Sequence, residues 1–510
     1  MNNTDVVICS LPALHLDRAP GAPAILQGGL ESIGVNAQSL DLSIDFFVEQ
    51  CKKNIDQYHV LSAIFRPTNE YVPQESRDAA DAWVVQSIDK LVSINPKIIG
   101  LSVFTYFQHI AALMLARAIR EQLPDTIIVI GGWGLDINCA GLANQKNIKK
   151  FDLLKPFHQF MREQGLADEI IFSNDNPLAR FVAFVDKTLN QQDRETDFTV
   201  KENKTIYTAP IPNYSDYELS NYVWNGEVSL PVTGSLGCVR SCTFCDIPGQ
   251  FGKFKYRTGA DIANELIYLK EKYHINTFEF TDSLVNGSIK AFREWLEIVA
   301  DYNDNCANED KIKWFGQYIC RPQSLVPKDL YSLMERSGVT NLIIGVESGS
   351  NEILESMKKK MTVEDVYDEL LMFEQHNIKT TFLMLSGFYN ETQERFLESL
   401  KFIVKCSRYI ANGTITNFGV SPPLYINDKM EIAREADRLG IIVDPYDDAN
   451  WKSTIDPTND FVERAHRRLV VQVLLNKLGI PAPEQNISNV YQMAQKLKNY
   501  EQQLSEHLSE

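Results

Sequence analysis

The sequence lacks long apolar runs and the motifs of two common enzyme classes. No stretch approaches the roughly 20 apolar residues that a membrane-spanning helix needs. The opening segment, MNNTDVVICSLP, has neither the basic part nor the apolar core of a signal peptide. There is no Gly-x-Ser-x-Gly of serine hydrolases and no Gly-x4-Gly-Lys-Ser/Thr phosphate loop. These absences predict a cytoplasmic protein with no membrane partner, and they give no support to either enzyme class.

Positive charge is also scarce. The chain of 510 residues has 50 Lys and Arg against 67 Asp and Glu, which gives a formal net charge of −17. Binding to a nucleic-acid backbone needs clustered basic residues, so we expect no general nucleic-acid binding. One local basic patch, formed by Lys358, Lys359 and Lys360, is interpreted as the solvated end of a helix.

What is present is the composition of a globular chain. Hydrophobic residues make up 44% of the sequence and charged residues 23%. A chain of 510 residues is longer than one hydrophobic core normally accommodates, so about three domains are expected. We assign residues 1–190 to an α/β domain, 191–226 to a linker, 227–420 to a second α/β domain and 421–510 to a helical region.

The first α/β domain alternates short apolar runs with helical patterns. The predicted strands are 5–11, 97–104, 126–132 and 168–173, and the predicted helices are 22–34, 110–123 and 176–190. Strands separated by helices favour a parallel sheet with helices on both faces. The expected fold is Rossmann-like, of the flavodoxin-like type, with ligands at the carboxyl ends of the strands.

The second α/β domain contains six strand candidates with helices between them. They lie at 229–234, 277–281, 314–319, 341–346, 379–385 and 415–420. Six successive strand–helix units predict a partial (β/α)6 barrel of the TIM type, and an open parallel sheet is the alternative. In the carboxyl-terminal region, helices are predicted at 461–479 and 489–508.

Three of the nine cysteines lie within one short segment. The stretch GSLGCVRSCTFCDIP places Cys238, Cys242 and Cys245 in a loop after the first strand of the second domain. Thiolates are ligands of iron–sulfur clusters and of zinc, and a closed structural zinc site requires four ligands. The nearest histidine, His274, falls in a different predicted unit. The spacing therefore favours a 4Fe–4S cluster with one open iron, and zinc bound with a distant histidine is the alternative.

The cysteine motif resembles that of the radical SAM superfamily. The aromatic Phe244 before the third cysteine is part of the resemblance, which extends over 235–282, 345–365 and 382–402. It implies an enzyme that cleaves S-adenosylmethionine reductively at a 4Fe–4S cluster. It also implies a small-molecule or peptide substrate and an electron donor such as flavodoxin or ferredoxin.

The resemblance also assigns cofactor contacts to single residues. Together with the three cysteine ligands, residues matching the family pattern around S-adenosylmethionine are Phe244, Asp282, Gln317, Arg321, Glu347 and Gly387. No residue is assigned as the general acid, the general base or the radical-quenching group.

The first domain resembles the cobalamin-binding domain of one radical SAM subclass. The best match is 98–134, where Thr105, Gly131 and Gly132 would face the ligand. The Asp-x-His-x-x-Gly pattern, which supplies a histidine ligand to cobalt in other proteins, is missing. The resemblance implies a cobalamin-dependent methyltransferase acting on an unactivated carbon.

Three alternatives stay open at this point. A radical SAM enzyme with a remodelled first domain would work without cobalamin, by cyclisation, rearrangement or other hydrogen abstraction. A methylthiotransferase would need a second cluster, for which Cys9, Cys51 and Cys139 are widely spaced candidates. A zinc-stabilised binding protein would not be an enzyme.

Overall fold

The fold is seen in a computed structural model of the whole chain. The structure describes residues 4–13, 16–66, 72–142, 148, 150–173, 176–191, 205–222, 227–444 and 448–480. Their contacts divide the chain into two compact units. The first comprises 1–232 with 268–277, and the second comprises 233–267 with 278–510. The division into four segments at 1–190, 191–226, 227–420 and 421–510 stays a prediction.

The first unit is built on a five-stranded parallel sheet. Its strands are β1 (Val6–Ser10), β2 (Ala37–Asp41), β3 (Ile98–Ser102), β4 (Ile127–Gly131) and β5 (Glu169–Ile171). They follow the order β2-β1-β3-β4-β5, and every pair is parallel. This is the flavodoxin-like order, so the predicted fold class of the first unit is confirmed.

Seven α-helices lie between or after these strands in chain order, among the residues that the structure describes. They are α1 (Gly21–Ser32), α2 (Leu42–Asp45), α3 (Ile55–Leu61), α4 (Gln74–Ile94), α5 (His109–Gln122), α6 (Phe157–Glu163) and α7 (Pro177–Asn190). The predicted helices correspond to α1, α5 and α7. Strand β2 and helix α4 were not predicted from the sequence.

Residues 205–222 of the segment predicted as a linker are described by the structure and belong to the first unit. In 205–222 the tyrosines Tyr207, Tyr214, Tyr217 and Tyr222 are buried. The Tyr222 hydroxyl donates to Asp41 Oδ2 at 2.8 Å, at the end of the edge strand β2. Burial raises the pKa of Asp41 to about 6 although this hydrogen bond opposes the rise. The segment therefore packs on the edge of the five-stranded sheet.

A second sheet has six strands. They are β6 (Ser229–Val232), β9 (Thr277–Phe280), β10 (Lys313–Tyr318), β11 (Val339–Glu347), β12 (Thr380–Met384) and β13 (Ile415–Val420), in the order β13-β12-β11-β10-β9-β6. Pairing is parallel from β10 through β13. All six predicted strands are confirmed. Two short strands, β7 (Ser235–Leu236) and β8 (Lys255–Tyr256), pair separately as an antiparallel ribbon.

Eight helices lie between or after these strands in the described part of the chain. They are α8 (Ile247–Phe251), α9 (Gly259–Tyr273), α10 (Ile289–Asp304), α11 (Leu330–Arg336), α12 (Asn351–Ser356), α13 (Val363–Gln375), α14 (Gln393–Lys405) and α15 (Ser407–Ala411). Aromatic contacts show the packing: Trp314 of β10 lies against Trp295 of α10 at 4.8 Å between ring centroids. Phe382 of β12 stacks on Phe402 of α14.

Burial alternates along the strands of this sheet. In β11, Leu342, Ile344 and Val346 are buried, whereas the residues between them are accessible. Since side chains alternate across a strand, the sheet has a helix-covered apolar face and a second, accessible face. We call the second one the open face. Its members include Glu279, Thr281, Gln317, Asn341, Ile343, Gly345, Glu347, Thr381, Leu383, Asn417 and Gly419.

The carboxyl-terminal region contains α16 (Glu431–Arg434), a two-stranded antiparallel ribbon of β14 (Ile441–Ile442) and β15 (Lys452–Ser453), and α17 (Phe461–Lys477). Helix α17 confirms the first helix predicted there. The second predicted helix, 489–508, lies outside the described residues. In the part of the chain that the structure describes, no helix combines the length and apolar character that a bilayer crossing needs.

Candidate functional site

The three clustered cysteines lie on the loop between β7 and α8. All three are half-buried and unpaired with other cysteines. The backbone N–H of Arg240 points at Cys238 Sγ from 3.3 Å. Burial raises the pKa of each thiol, that of Cys245 to about 12. When no metal ion is bound, the three thiols are therefore neutral. A metal ion that binds thiolates would displace their protons.

Main-chain hydrogen bonds fix the middle of this loop. The N–H of Thr243 donates to the carbonyl of Met357 at 3.1 Å, and its hydroxyl donates to the carbonyl of Ser356 at 3.2 Å. The carbonyl of Thr243 accepts from the N–H of Ile432 at 2.8 Å. The loop is thus held from one side by the end of α12 and from the other by α16, so the cysteines have a defined position.

Three cationic side chains surround the cysteines. Lys359, Arg240 and Arg321 each favour the thiolate form and oppose the rise in the pKa of Cys238. The guanidinium of Arg240 donates to the carbonyls of Lys360 at 3.0 Å and Cys320 at 3.2 Å, which keeps it beside the loop. Several thiolates in a partly buried position repel one another and are poorly solvated, so nearby positive charges are needed to stabilise them.

The donor set fits a 4Fe–4S cluster better than a single ion. Among the described residues, no three His, Cys, Asp or Glu side chains converge on one ion position. Three thiolates of a cluster each bind a different iron, so such convergence is not required there. A closed structural zinc site would need four ligands that converge on one position. The residues present therefore fit a cluster with three cysteine ligands.

A second charged group lies at the end of β11. Glu347, predicted from the resemblance, adopts a left-handed backbone conformation with φ of 70°. Its Oε1 lies 3.4 Å from Nζ of Lys359, and the two side chains are only 12% and 11% exposed. A Cβ atom at Gly345 would lie 2.4 Å from Glu347 Oε1. The carboxylate therefore lies over Gly345, on the open face of the sheet.

Phe244, on the cysteine loop, lies close to Lys359. Its ring packs edge-on against Phe388 at 6.2 Å between centroids, and Nζ of Lys359 lies 5.9 Å from the Phe244 centroid. The predicted contact of Phe244 with the cluster or with S-adenosylmethionine stays a prediction. Lys359 thus contacts both the cysteine loop and Glu347, and it is not the solvated lysine that the sequence suggested.

Gln317 and Arg321 lie on and after β10. Gln317 is exposed on the open face, and its carbonyl accepts from the N–H of Val285 at 2.7 Å. Arg321 is half-buried and donates to the carbonyl of Asn286 at 2.8 Å. The structure therefore leaves the amide of Gln317 accessible, whereas Arg321 is engaged by the loop after β9.

Two other predicted contacts are turned into the protein. Asp282 is 3% exposed, and its Oδ2 accepts from the N–H of Gly234 at 2.8 Å. Burial raises the pKa of Asp282 to about 7. Gly387 has φ of 83°, and a Cβ atom there would lie 2.2 Å from Cγ of Arg464. The close approach that this glycine permits is made by an arginine of α17.

In the first unit, the predicted ligand loops are packed against each other. The Thr105 hydroxyl accepts from the N–H of Phe107 at 3.0 Å and caps a short helix. Gly131 ends β4, and Gly132 follows with φ of 125°, where a Cβ atom would lie 2.3 Å from the carbonyl oxygen of Val103. These residues shape the carboxyl edge of the sheet, and Gly132 has no room for a side chain.

Aromatic side chains are accessible at that carboxyl edge. Phe104 is 52% exposed and Tyr106 is 38% exposed, two and four residues after the end of β3. His109 follows them but is buried, stacked on Phe157 at 3.9 Å, with Nε2 at 2.7 Å from the carbonyl of Gly134. Burial lowers the pKa of His109 to about 4, so it is neutral. The edge thus offers apolar surface for a flat ligand, while His109 is committed to packing.

Comparison with protein families decides the class of the second α/β part. Residues 232–403 match the model of the Radical SAM superfamily. This part of the chain is similar to a radical SAM domain. The matched range begins at the end of β6, contains the cysteine loop and extends into α14.

Curated relatives of the radical SAM chain are distant and have different activities. An anaerobic magnesium-protoporphyrin IX monomethyl ester cyclase of Synechocystis sp. is 20% identical over 58% of this chain and 56% of its own length. An uncharacterised methyltransferase of Pyrococcus horikoshii is 25% identical over 42% of this chain and 44% of its own. A tRNA-2-methylthio-N(6)-dimethylallyladenosine synthase of Clostridium beijerinckii is 24% identical over 72% of both chains. The chain thus spans about half the length of the first two relatives.

Solved structures match over nearly the whole chain. The radical S-adenosylmethionine methyltransferase TsrM of Kitasatospora setae, solved with cobalamin and a [4Fe-4S] cluster, has a TM-score of 0.61 at 14% identity and covers 95% of this chain and 92% of its own. The cobalamin-dependent S-adenosylmethionine radical enzyme OxsB, solved with aqua-cobalamin and S-adenosylmethionine, also has a TM-score of 0.61 at 14% identity, over 98% and 71%. At this identity the match establishes a shared fold.

Sequence reasoning missed two residues that lie beside the cysteine loop. Arg240 lies between two of the cysteines, so its position in the motif was a usable signal. Lys359 gave no such signal, because its neighbours Lys358 and Lys360 are exposed and the run resembles a solvated helix end. Only the fold shows that the middle lysine turns inward.

Proposed function

We propose that this chain is a cobalamin-dependent radical SAM methyltransferase acting on an unactivated carbon. The observation that carries the proposal is the half-buried loop with Cys238, Cys242 and Cys245, surrounded by cationic side chains, in a chain that also contains a flavodoxin-like unit. The likeness to TsrM and OxsB supports it, since both were solved with cobalamin and share the fold over nearly all of the chain.

In this proposal the protein's own groups bind and orient the cofactors. Cys238, Cys242 and Cys245 would hold the 4Fe–4S cluster, which supplies the electron for reductive cleavage of S-adenosylmethionine. Glu347 and Gln317 offer a carboxylate and an amide on the open face, suited to hydroxyl or amino groups of that ligand. The half-buried position of the loop limits access of water to the reacting groups. The electron would come from a flavodoxin or ferredoxin, and the substrate would be a small molecule or a peptide.

Cobalamin would bind at the carboxyl edge of the five-stranded sheet, where it would act as the methyl carrier. The accessible rings of Phe104 and Tyr106 supply apolar area there, and ligands of such sheets bind outside the carboxyl ends of the strands. His109 is neutral and buried, with Nε2 engaged by the carbonyl of Gly134, and its ring is stacked on Phe157. We therefore expect that His109 would not be among the residues that hold cobalamin.

The deciding experiment is cobalamin retention. The protein is reconstituted anaerobically with iron, sulfide and hydroxocobalamin, desalted, and analysed by visible absorbance and cyanide extraction. We expect near-stoichiometric cobalamin, and less in Phe104→Ala than in Val85→Ala, which removes an exposed apolar side chain from α4 instead. An intact cluster without retained cobalamin would reject the proposal in favour of a cobalamin-independent radical SAM enzyme.

The methylthiotransferase alternative has relatives among the curated proteins, but it requires a second cluster. Cys9, Cys51 and Cys139 are all buried, and burial raises the pKa of both Cys51 and Cys139 to about 12. All three are fully buried in the first unit, whereas the three loop cysteines are only half-buried. Reconstituted protein should therefore contain about four irons per chain, as one 4Fe–4S cluster requires. A content of about eight would revive the alternative.

A further inference from the structure

Lys359 is held by an unusual run of backbone conformations. Lys358 and Lys360 on either side of it are both left-handed, with φ of 56° and 51°, and Glu347 is left-handed as well. None of these residues is a glycine, so each conformation costs free energy that the surrounding contacts must supply. The three strained residues are the two chain neighbours of Lys359 and its ion-pair partner.

Hydrogen bonds around the turn show how the strain is sustained. The N–H of Lys359 donates to the carbonyl of Leu354 at 3.0 Å, and that of Lys358 donates to the carbonyl of Glu355 at 2.9 Å. These bonds end α12 as a left-handed helix cap does, although the residue commonly found there is glycine. Beyond the cap, the carbonyl of Lys360 accepts from Arg240 of the cysteine loop. The turn thus fixes Lys359 relative to the cysteines.

The ammonium of Lys359 lies between Glu347 and the cysteine loop. Its Nζ is 3.4 Å from Glu347 Oε1 and 5.9 Å from the centroid of the ring of Phe244, the residue immediately before Cys245. With 11% of its side chain exposed, its charge is weakly screened by solvent. Lys358 and Lys360 carry the same charge but are exposed.

We propose that Lys359 is a positioning residue that raises the reduction potential of the cluster held by Cys238, Cys242 and Cys245, and that Glu347 moderates this effect through the ion pair. The proposal rests on the cluster assignment made above. Reduction adds negative charge to the cluster, and a nearby buried cation stabilises the reduced form. The pair therefore links the ligand-binding carboxylate of the open face to the redox state of the cluster.

The test is a redox titration of reconstituted protein, followed by electron paramagnetic resonance in the absence of S-adenosylmethionine. In Lys359→Met, the ratio of reduced to oxidised cluster at a fixed applied potential should fall by about threefold or more. Lys359→Arg should stay close to wild type because it keeps the charge. Lys360→Met is the matched control, since it removes the same charge from an exposed neighbour, and it should leave the ratio unchanged.

A second variant should shift the reduced fraction of the cluster in the opposite direction. Glu347→Gln leaves Lys359 without its carboxylate, so the reduced fraction should rise, and the double variant should return towards wild type. This arm holds even if Lys359→Met assembles its cluster poorly. Equal potentials in wild type, Lys359→Met and Glu347→Gln would overturn the inference, as would an equal shift in Lys360→Met. Failure of the wild type to form any cluster would instead reject the proposed function.

Discussion

The guanidinium of Arg464 lies 3.7 Å from the centroid of the Trp451 indole ring. Both side chains are fully buried, and the guanidinium donates to the main-chain carbonyls of Asn459 at 3.0 Å, Ala449 at 2.9 Å and Trp451 at 3.0 Å. Burial lowers the pKa of Arg464 to about 10. One side chain of α17 therefore satisfies three carbonyls of the segment before it.

Arg464→Met should lower the free energy of unfolding by about 2–4 kcal/mol, because three buried carbonyls lose their donor and methionine cannot replace it. Urea unfolding followed by circular dichroism measures the change. Arg438→Met is the matched control. Arg438 is exposed and paired with Glu435, so its loss should leave the unfolding midpoint in place. Equal midpoints for both variants would contradict the structural role given to Arg464.

Gly387→Ala should destabilise the protein more than Gly413→Ala. Both glycines are left-handed, with φ of 83° and 80°, so each substitution carries a similar conformational cost of about 1–2 kcal/mol. A Cβ atom at Gly387 would also meet Arg464, whereas nothing lies within 4 Å of one at Gly413. Thermal unfolding of the two variants in parallel isolates the steric part. A smaller loss for Gly387→Ala would show that Arg464 moves aside freely.

Single alanine variants of Cys238, Cys242 and Cys245 should lose reductive cleavage of S-adenosylmethionine down to background. Each variant removes one of the three thiols that we propose as ligands of the cluster. Formation of 5′-deoxyadenosine and the content of iron and sulfide are the measurements. Cys306→Ala, which removes a half-buried thiol elsewhere, should keep both. Since the loop cysteines are not core residues, far-ultraviolet circular dichroism should be unchanged in all four proteins.

The buried carboxyl group of Glu369 should make stability depend on pH. It accepts from the hydroxyls of Tyr318 at 2.6 Å and Tyr331 at 3.0 Å, yet burial dominates and raises its pKa to about 7 from 4.5. Between these values the folded protein binds more protons than the unfolded chain. The contribution of this group to stability is therefore fully present below about pH 4.5 and is lost as the pH rises through 7.

Glu369→Gln should flatten that dependence. The amide does not titrate, so on going from pH 5 to pH 8 the variant should lose less stability than wild type, by on the order of 2 kcal/mol. Urea unfolding at the two pH values gives the difference directly. An identical loss in wild type and variant would show that Glu369 ionises normally.

The strands could be predicted from the sequence because their burial is recorded in local patterns. The apolar runs that became β1, β3 and β4, and the alternation in β11, are set by which face each residue presents. Strand β2 escaped prediction since its sequence, AQSLD, buries Ala37, Ser39 and Asp41, two of them polar. Its position depends on pairing with β1, which no local pattern contains.

Helix α4 was missed for a related reason. It is long, but its buried positions include the small or polar Ser76, Ala79, Ala80 and Ser87, so the apolar stripe is weak. In the candidate site, the cysteine spacing predicted the metal ligands from the sequence alone, and that assignment stays a prediction. The partners of Asp282 and Gly387 are Gly234 and Arg464, which are distant in the chain, and such contacts appear only after folding.

One face of the second sheet is buried under helices and the other is accessible, so neighbouring residues of one strand are under different constraints. Residues such as Trp314 and Phe382 interlock with helices, so a change there would disturb the packing of the whole domain. Their neighbours on the open face, such as Gln317 and Asn417, are exposed and bear little of that packing. Mutation can therefore alter the chemistry presented to a ligand one strand position at a time, while the scaffold that carries it is inherited intact.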